Sequence, residues 1–225
     1  MQRLRLTFSI GEELKYISHL DLMRLWQRAL RRAGIPLAYS QGFSPHPRIS
    51  LAAPLAIGVT SGGELMDIYL EQRLSPHYFM KNLSRQLPPG TDISEVVEVG
   101  LGLPSLQSQV AFAEYEVGME TDKSAEEVEA SLRDLLARDT LPWQHMRDKE
   151  LRKYDLRCLI DSLWLIDSSP AGCILGMRLR CDSRGTGRPE QVTAALGFSN
   201  HPQSIHRTKL ILNQHNTRSP QRQNR

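Results

Sequence analysis

The segment Ser183-Arg184-Gly185-Thr186-Gly187-Arg188-Pro189 carries the most specific chemistry in the chain. Two glycines let backbone amides turn toward a ligand. Pro189 stands where a first helical residue would, so free amides and a positive helix end are expected to converge there. With Arg184 and Arg188 beside them, the chemistry is capture of an anion, phosphate foremost. The G-x-x-x-x-G-K-[ST] spacing is absent, which excludes a Walker loop. A flexible strand-to-helix turn is the competing reading. His206, Arg207 and Lys209 reach the same neighbourhood if the last strand pairs centrally in a sheet.

A second basic feature lies near the N-terminus. Arg24, Arg28 and Arg32 recur at i, i+4, i+8, with Arg31 beside them, opposite the apolar stripe Leu22/Leu25/Trp26/Ala29. Arginine binds phosphate through a rigid donor fork, so such a ridge can track a nucleic-acid backbone. A solvated face whose late arginines suit the helix dipole accounts for the same pattern. The loop that follows, Gly42-Phe43-Ser44-Pro45-His46-Pro47-Arg48, has its geometry preset by two prolines and a glycine. It can present Phe43, His46 and Arg48 to a ligand, or simply stiffen the fold. Lys153-Tyr154-Asp155-Leu156-Arg157 sets an aromatic among charges ahead of an apolar strand. Tyr154 can stack on a base with Arg157 nearby, or Asp155 and Arg157 can pair at a strand end.

Catalytic and metal signatures are sparse. No histidine pair has i, i+4 spacing, no cysteine pair has C-x-x-C spacing and no G-x-S-x-G elbow occurs, so no metal site is expected. His19, at a helix start, and His46, in the stiff loop, are the candidates for a general base assembled from distant positions. Cys158, Cys173 and Cys181 fall in expected strands and read as small core residues.

These residues need elements to hold them. Residues 3–8 alternate polar and apolar, the pattern of a half-buried strand. Ser18, with Asp21 three residues on, opens a helix that Gly34 and Pro36 close. Strands are expected near 49–53, 64–71 and 92–99, with a helix over 75–87 opened by Ser75-Pro76. Residues 100–108 have linker chemistry. The same order then returns: a strand over 109–119, a helix over 124–138 capped by Ser124 with Glu127, strands near 156–166 and 172–181, a helix from Pro189 to Leu196 and a strand over 205–212. Residues 141–154 form an insertion with no clear pattern. The element order predicts an α+β protein of two tandem ferredoxin-like βαββαβ units, residues 1–100 and 109–213, followed by a disordered basic tail over 214–225.

Composition agrees with an ordinary globular chain: 225 residues, 40% apolar and 24% charged, with no run of the roughly 18 apolar residues a membrane helix needs. Met1 leads directly into Arg3-Leu4-Arg5-Leu6, so no secretory signal is expected, and three cysteines fit a reducing cytoplasm better than a disulfide framework. Residues 1–50 carry 8 basic and 3 acidic side chains, residues 51–150 carry 8 and 17, and residues 151–225 carry 12 and 5. Two basic ends flank an acidic middle, a distribution suited to a polyanion at the ends and solvent or a protein partner between them.

With those residues in view the chain resembles the uncharacterised bacterial family of radical-SAM-linked proteins. The resemblance rests on Phe8-Ser9, Ile17-Ser18-His19-Leu20-Asp21-Leu22-Met23-Arg24, Arg28-Ala29-Leu30-Arg31-Arg32-Ala33-Gly34, the stretch from Leu37 to Ser50, Tyr154-Asp155-Leu156-Arg157, Gly185-Thr186-Gly187-Arg188-Pro189, Ala194-Ala195-Leu196-Gly197 and Ile205-His206-Arg207-Thr208. It covers most of the chain apart from the tail. Cys158 departs from it, standing where proline is expected. The resemblance implies a radical-SAM protein as partner, and RNA through genetic context. A radical-SAM cluster needs a cysteine motif such as C-x-x-x-C-x-x-C. This chain lacks one, so it reads as the companion module, with no cofactor of its own. The expected function is a non-catalytic, cytoplasmic adaptor that presents tRNA or rRNA to that partner. Its phosphates would lie on Arg24, Arg28, Arg32 and on Arg184–Arg188, with Phe43 or Tyr154 on an unpaired base. An RNA-processing or RNA-modifying enzyme using His19 or His46, and a protein-docking scaffold using the acidic middle, are the rival readings.

Overall fold

The computed structural model describes residues 1–147 and 150–213, and the expected disordered tail over 214–225 lies outside them. The first half contains β1 (Gln2–Ile10), α1 (His19–Arg32), β2 (Ile49–Leu51), β3 (Thr60–Leu70), α2 (Pro76–Ser84) and β4 (Ile93–Val99). A short helix, α3 (Leu106–Gln109), leads to the second half: β5 (Val110–Met119), α4 (Ala125–Leu136), the hairpin β6 (Pro142–Arg147) and β7 (Glu150–Asp155), β8 (Ile160–Ser169), β9 (Gly172–Asp182), β10 (Gly185–Thr186), α5 (Pro189–Ala195) and β11 (Ser204–Leu212). The fold is mixed α+β, with five helices on a large, mostly antiparallel sheet. No helix among the described residues is long and apolar enough to cross a membrane.

Local chemistry accounts for the element ends. Ser18 caps α1 by accepting from the Asp21 amide and donates its own hydroxyl to the Asp21 carboxylate at 2.8 Å. Ser75 accepts from Tyr78 N with Pro76 in the first turn, and Ser124 and Glu127 form both halves of a capping box. Alternation in β1 buries Leu4, Leu6, Phe8 and Ile10 against the α1 stripe, where Phe8 meets Trp26 edge to face at 4.8 Å. A second core forms around Val117, Leu132, Leu156, Leu175, Met177 and Val192.

The nine-stranded sheet runs β10-β9-β5-β11-β3-β1-β4, with β2 also on β3 and β8 also on β9; β6 and β7 pair apart from it. In the first half the order is therefore β4-β1-β3-β2, and in the second β11-β5-β9-β8. The halves join where β11 runs parallel to the start of β3, His206 opposite Thr60 and Arg207 opposite Ser61. Every other strand pairing among the described residues is antiparallel.

The structure differs from the sequence expectation at four places. Strand β3 starts at Thr60 because Gly62-Gly63, which by composition argue against a strand, admit β11: a Cβ on Gly63 would stand 2.6 Å from the Thr208 carbonyl oxygen. The expected linker is partly helical and buries Leu106. Within the insertion, β6 and β7 pair antiparallel. The strand expected from 156 starts at Ile160, after a 3-10 turn over Arg157–Leu159, which leaves Cys158 exposed while Cys173 and Cys181 are buried.

Candidate functional site

A cleft of about 1150 Å³ opens between the two halves. One wall is the segment from Ala52 to Val59, which leads from β2 into β3, together with Ser105, Gln107 and Ser108 of α3. The other wall is the segment from Cys181 to Gln191, with His145 and Tyr154 of the β6–β7 hairpin. Tyr115, Asp155, Cys158, Leu159 and Arg207 also line it.

Arg207 is 2% exposed. Its Nε donates to Glu64 Oε1 at 2.7 Å and its Nη2 to Glu64 Oε2 at 2.6 Å. Nη1 donates to the Pro54 carbonyl at 3.2 Å. Burial works against the charge, but the adjacent Glu64 outweighs it and holds the guanidinium firmly protonated. Arg207 therefore builds the cleft and ties its Pro54 wall to β11; its donors are committed within the protein. Burial raises the Tyr115 hydroxyl and the Cys181 thiol above their usual pKa.

Tyr154 is half-buried. Its hydroxyl donates to Gln191 Oε1 at 2.6 Å, and the His145 ring packs edge-on against it at 5.5 Å and 84°. Burial raises its pKa, while Arg188, which lines the same cleft, and the Gln191 hydrogen bond oppose the rise. Arg188 is exposed and has no ion-pair partner among the described residues. Arg184, also exposed, is shared with Asp182, which accepts from its guanidinium at 3.1 Å and from its amide at 2.8 Å. Desolvation works against the Asp182 carboxylate, but those Arg184 bonds and the Arg180 charge hold it below the usual carboxylate range.

The glycine turn differs from its expected role as an amide cradle. Gly185 and Thr186 pair with Asp182 and Cys181 as β10, and the Gly187 amide donates to Arg180 O at 2.9 Å. The glycines serve close packing instead. A Cβ on Gly187 would lie 2.9 Å from Leu179 Cβ and 3.0 Å from the Leu159 carbonyl oxygen. Gly187→Ala is expected to cost about 1–3 kcal/mol, because a neighbouring strand atom and a backbone oxygen cannot rotate away. Urea denaturation checks this, and a wild-type midpoint would refute it. What remains available to an anion at this turn is side-chain charge, Arg188 above all.

The cleft thus gathers Tyr154, Arg184, Gly185, Thr186, Gly187, Arg188 and Arg207 from the sequence candidates. The others lie elsewhere. Arg24, Arg28 and Arg32 are exposed on α1; Arg24 pairs with Asp21 at 2.9 Å and Arg32 donates to Gln86 O at 2.6 Å, while Arg28 has no ion pair among the described residues. The 38–48 loop is a narrow hairpin closed by Ser40 N→His46 O and Arg48 N→Ala38 O. Phe43 is fully exposed at its tip. Arg48 lies over the Tyr69 ring at 4.1 Å. His46 is exposed, and His19 borders a water-sized pocket of about 10 Å³ with Leu22 and Leu55. Arg157 does not pair with Asp155: its guanidinium donates to the Leu136, Arg138 and Ile160 carbonyls, holding the end of α4. His206 neighbours Arg207 on the strand and so faces the opposite side of the sheet, with Nδ1 on Thr60 Oγ1 at 2.8 Å. Among the described residues no group of three or more His, Cys, Asp or Glu stands close enough to hold a metal ion.

His145, Gln191 and the α3 residues were not legible as site residues. They are ordinary polar side chains, brought to the cleft only by the hairpin and by the joining of the halves.

Comparison with known proteins gives a family and a set of distant structures. The model of a bacterial family described as "Uncharacterized protein conserved in bacteria (DUF2344)" matches residues 3–189, and the chain belongs to that family. None of the curated proteins matches. Among solved structures, a chain of a Cbf5-Nop10-Gar1 complex is similar at 10% identity and TM-score 0.49, covering 93% of this chain and 48% of that one. A chain of an archaeal box H/ACA sRNP Nop10-Cbf5 complex is similar at 10% identity and TM-score 0.46 with the same coverage. This chain spans about half the length of those chains.

Proposed function

We propose that this member of the DUF2344 family is an RNA-binding module that holds its ligand in the cleft between the halves. The carrying observation is the pairing of a recessed aromatic, Tyr154, with an exposed arginine, Arg188, that has no carboxylate partner among the described residues. A cation and an aromatic lining one cleft supply the chemistry that meets a nucleotide, phosphate on one and base on the other. Arg184 adds charge at the same rim, and Arg28 on α1 supplies a second, separate basic surface. The role as a non-catalytic adaptor that presents RNA to a radical-SAM partner is supported by the family resemblance of the sequence motifs. The description of the halves as two ferredoxin-like units, 1–100 and 109–213, is supported by their shared strand order.

Filter binding of the purified chain to tRNA and rRNA fragments tests the RNA reading. Affinity is expected to fall on the order of tenfold between about 50 and 200 mM salt, the response of a few neutralised phosphates. Arg188→Glu is expected to weaken binding at least about fivefold at low salt, because it reverses a charge at the rim. No binding at low salt, or binding indifferent to both salt and Arg188→Glu, would remove the proposal.

A further inference from the structure

We infer that the cleft takes unpaired nucleotides and rejects duplex, with one base lying against the Tyr154 ring; this rests on the RNA reading and specifies its ligand. The first observation is depth. Tyr154 is half-buried inside the cleft, and its ring is held from two sides, by the hydroxyl bond to Gln191 and by the edge of His145. A base inside a duplex is covered by its stacked neighbours and cannot offer its face to a recessed ring; a splayed base can. A ring held in advance also loses little freedom when a base settles on it.

The second observation is size. The cleft's 1150 Å³ exceeds the range of about 300–1,000 Å³ typical of pockets for one small ligand, so a short stretch of chain fits it better than one metabolite. The third is charge. Arg188 lines the same cleft, is exposed and has no ion-pair partner among the described residues, so its guanidinium is available to the phosphate of the stacked nucleotide.

The experiment compares an eight-nucleotide single-stranded RNA, the blunt duplex formed with its complement, and inorganic phosphate as competitor, each with the full chain at low salt. Single strand is expected to bind at least about tenfold tighter than duplex. Tyr154→Leu is expected to weaken the single strand roughly tenfold, the scale of one lost base–aromatic stack, while leaving duplex binding unchanged. Tyr154→Phe keeps the ring and loses only the Gln191 bond, so it should retain single-strand affinity within about twofold. Circular dichroism of each variant separates loss of binding from loss of fold. Equal affinity for single strand and duplex, or a folded Tyr154→Leu that binds single strand as wild type does, overturns this inference. If Arg188→Glu still weakens the binding then observed, the RNA reading stands and only the stacking site falls. Absence of binding to both RNAs overturns the two together.

Discussion

Arg207→Met is expected to destabilise the protein by about 3–5 kcal/mol, the cost of leaving one partner of a buried ion pair uncompensated. Glu64 is 2% exposed and takes both fork donors of Arg207, so the methionine variant would strand a carboxylate in the interior. The effect reaches the cleft as well. Arg207 also donates to the Pro54 and Ala53 carbonyls, and these bonds tie the first-half wall to β11. Chemical denaturation of Arg207→Met, Glu64→Leu and the double variant checks the argument. The double variant should recover most of the loss, because no unpaired charge remains buried. A single Arg207→Met variant within about 1 kcal/mol of wild type would show that the pair contributes little.

Asp67→Asn is expected to cost a similar amount, about 3–5 kcal/mol, although it changes almost no volume. Asp67 is fully buried and receives two arginines: Arg3 Nε at 2.8 Å on Oδ2 and Arg5 Nε at 2.8 Å on Oδ1. Arg3 is itself 1% exposed and also donates to the Leu103 and Pro104 carbonyls at 2.9 Å. This cluster fastens the connection between the halves onto the first sheet half, as Arg207–Glu64 fastens the second half onto β3. Asparagine leaves two guanidinium groups facing each other without a counter-charge. Besides the shifted denaturation midpoint, limited proteolysis should then cut within residues 100–105 faster than in wild type. A variant with wild-type stability and wild-type cleavage would refute the role assigned to the cluster.

Many of the elements were legible in the sequence, and the reason is range. Ser18, Ser75 and Ser124 cap helices through amides three residues away, and β1 buries alternate residues because side chains on a strand alternate by geometry. Such signals act within a few residues of chain and need no knowledge of the rest. The misreadings share the opposite cause. The strand expected over 64–71 begins at Thr60, through Gly62-Gly63, because β11, nearly 150 residues on, requires bare backbone there. Gly185 and Gly187 read as an amide cradle, whereas neighbouring strand and turn atoms around Leu159 and Leu179 need their lack of a side chain.

The functional candidates divide along the same line. Arg184, Arg188 and Tyr154, which line the cleft, were legible as candidates because charge and aromaticity are properties of the residue itself. Whether an arginine is free to meet a ligand depends on its partners, and these are distant in the chain: Glu64 lies 143 residues from Arg207, and Asp67 lies 64 from Arg3. Arg157 is spent on the carbonyls at the end of α4, and His206 faces away from its neighbour Arg207. By itself, then, the sequence determined most of the element order, the caps and the two basic regions, since these follow from local backbone and side-chain chemistry. Only the tertiary structure decided which cations are committed inside the protein and which line a cleft, because burial and ion pairing arise where distant segments pack.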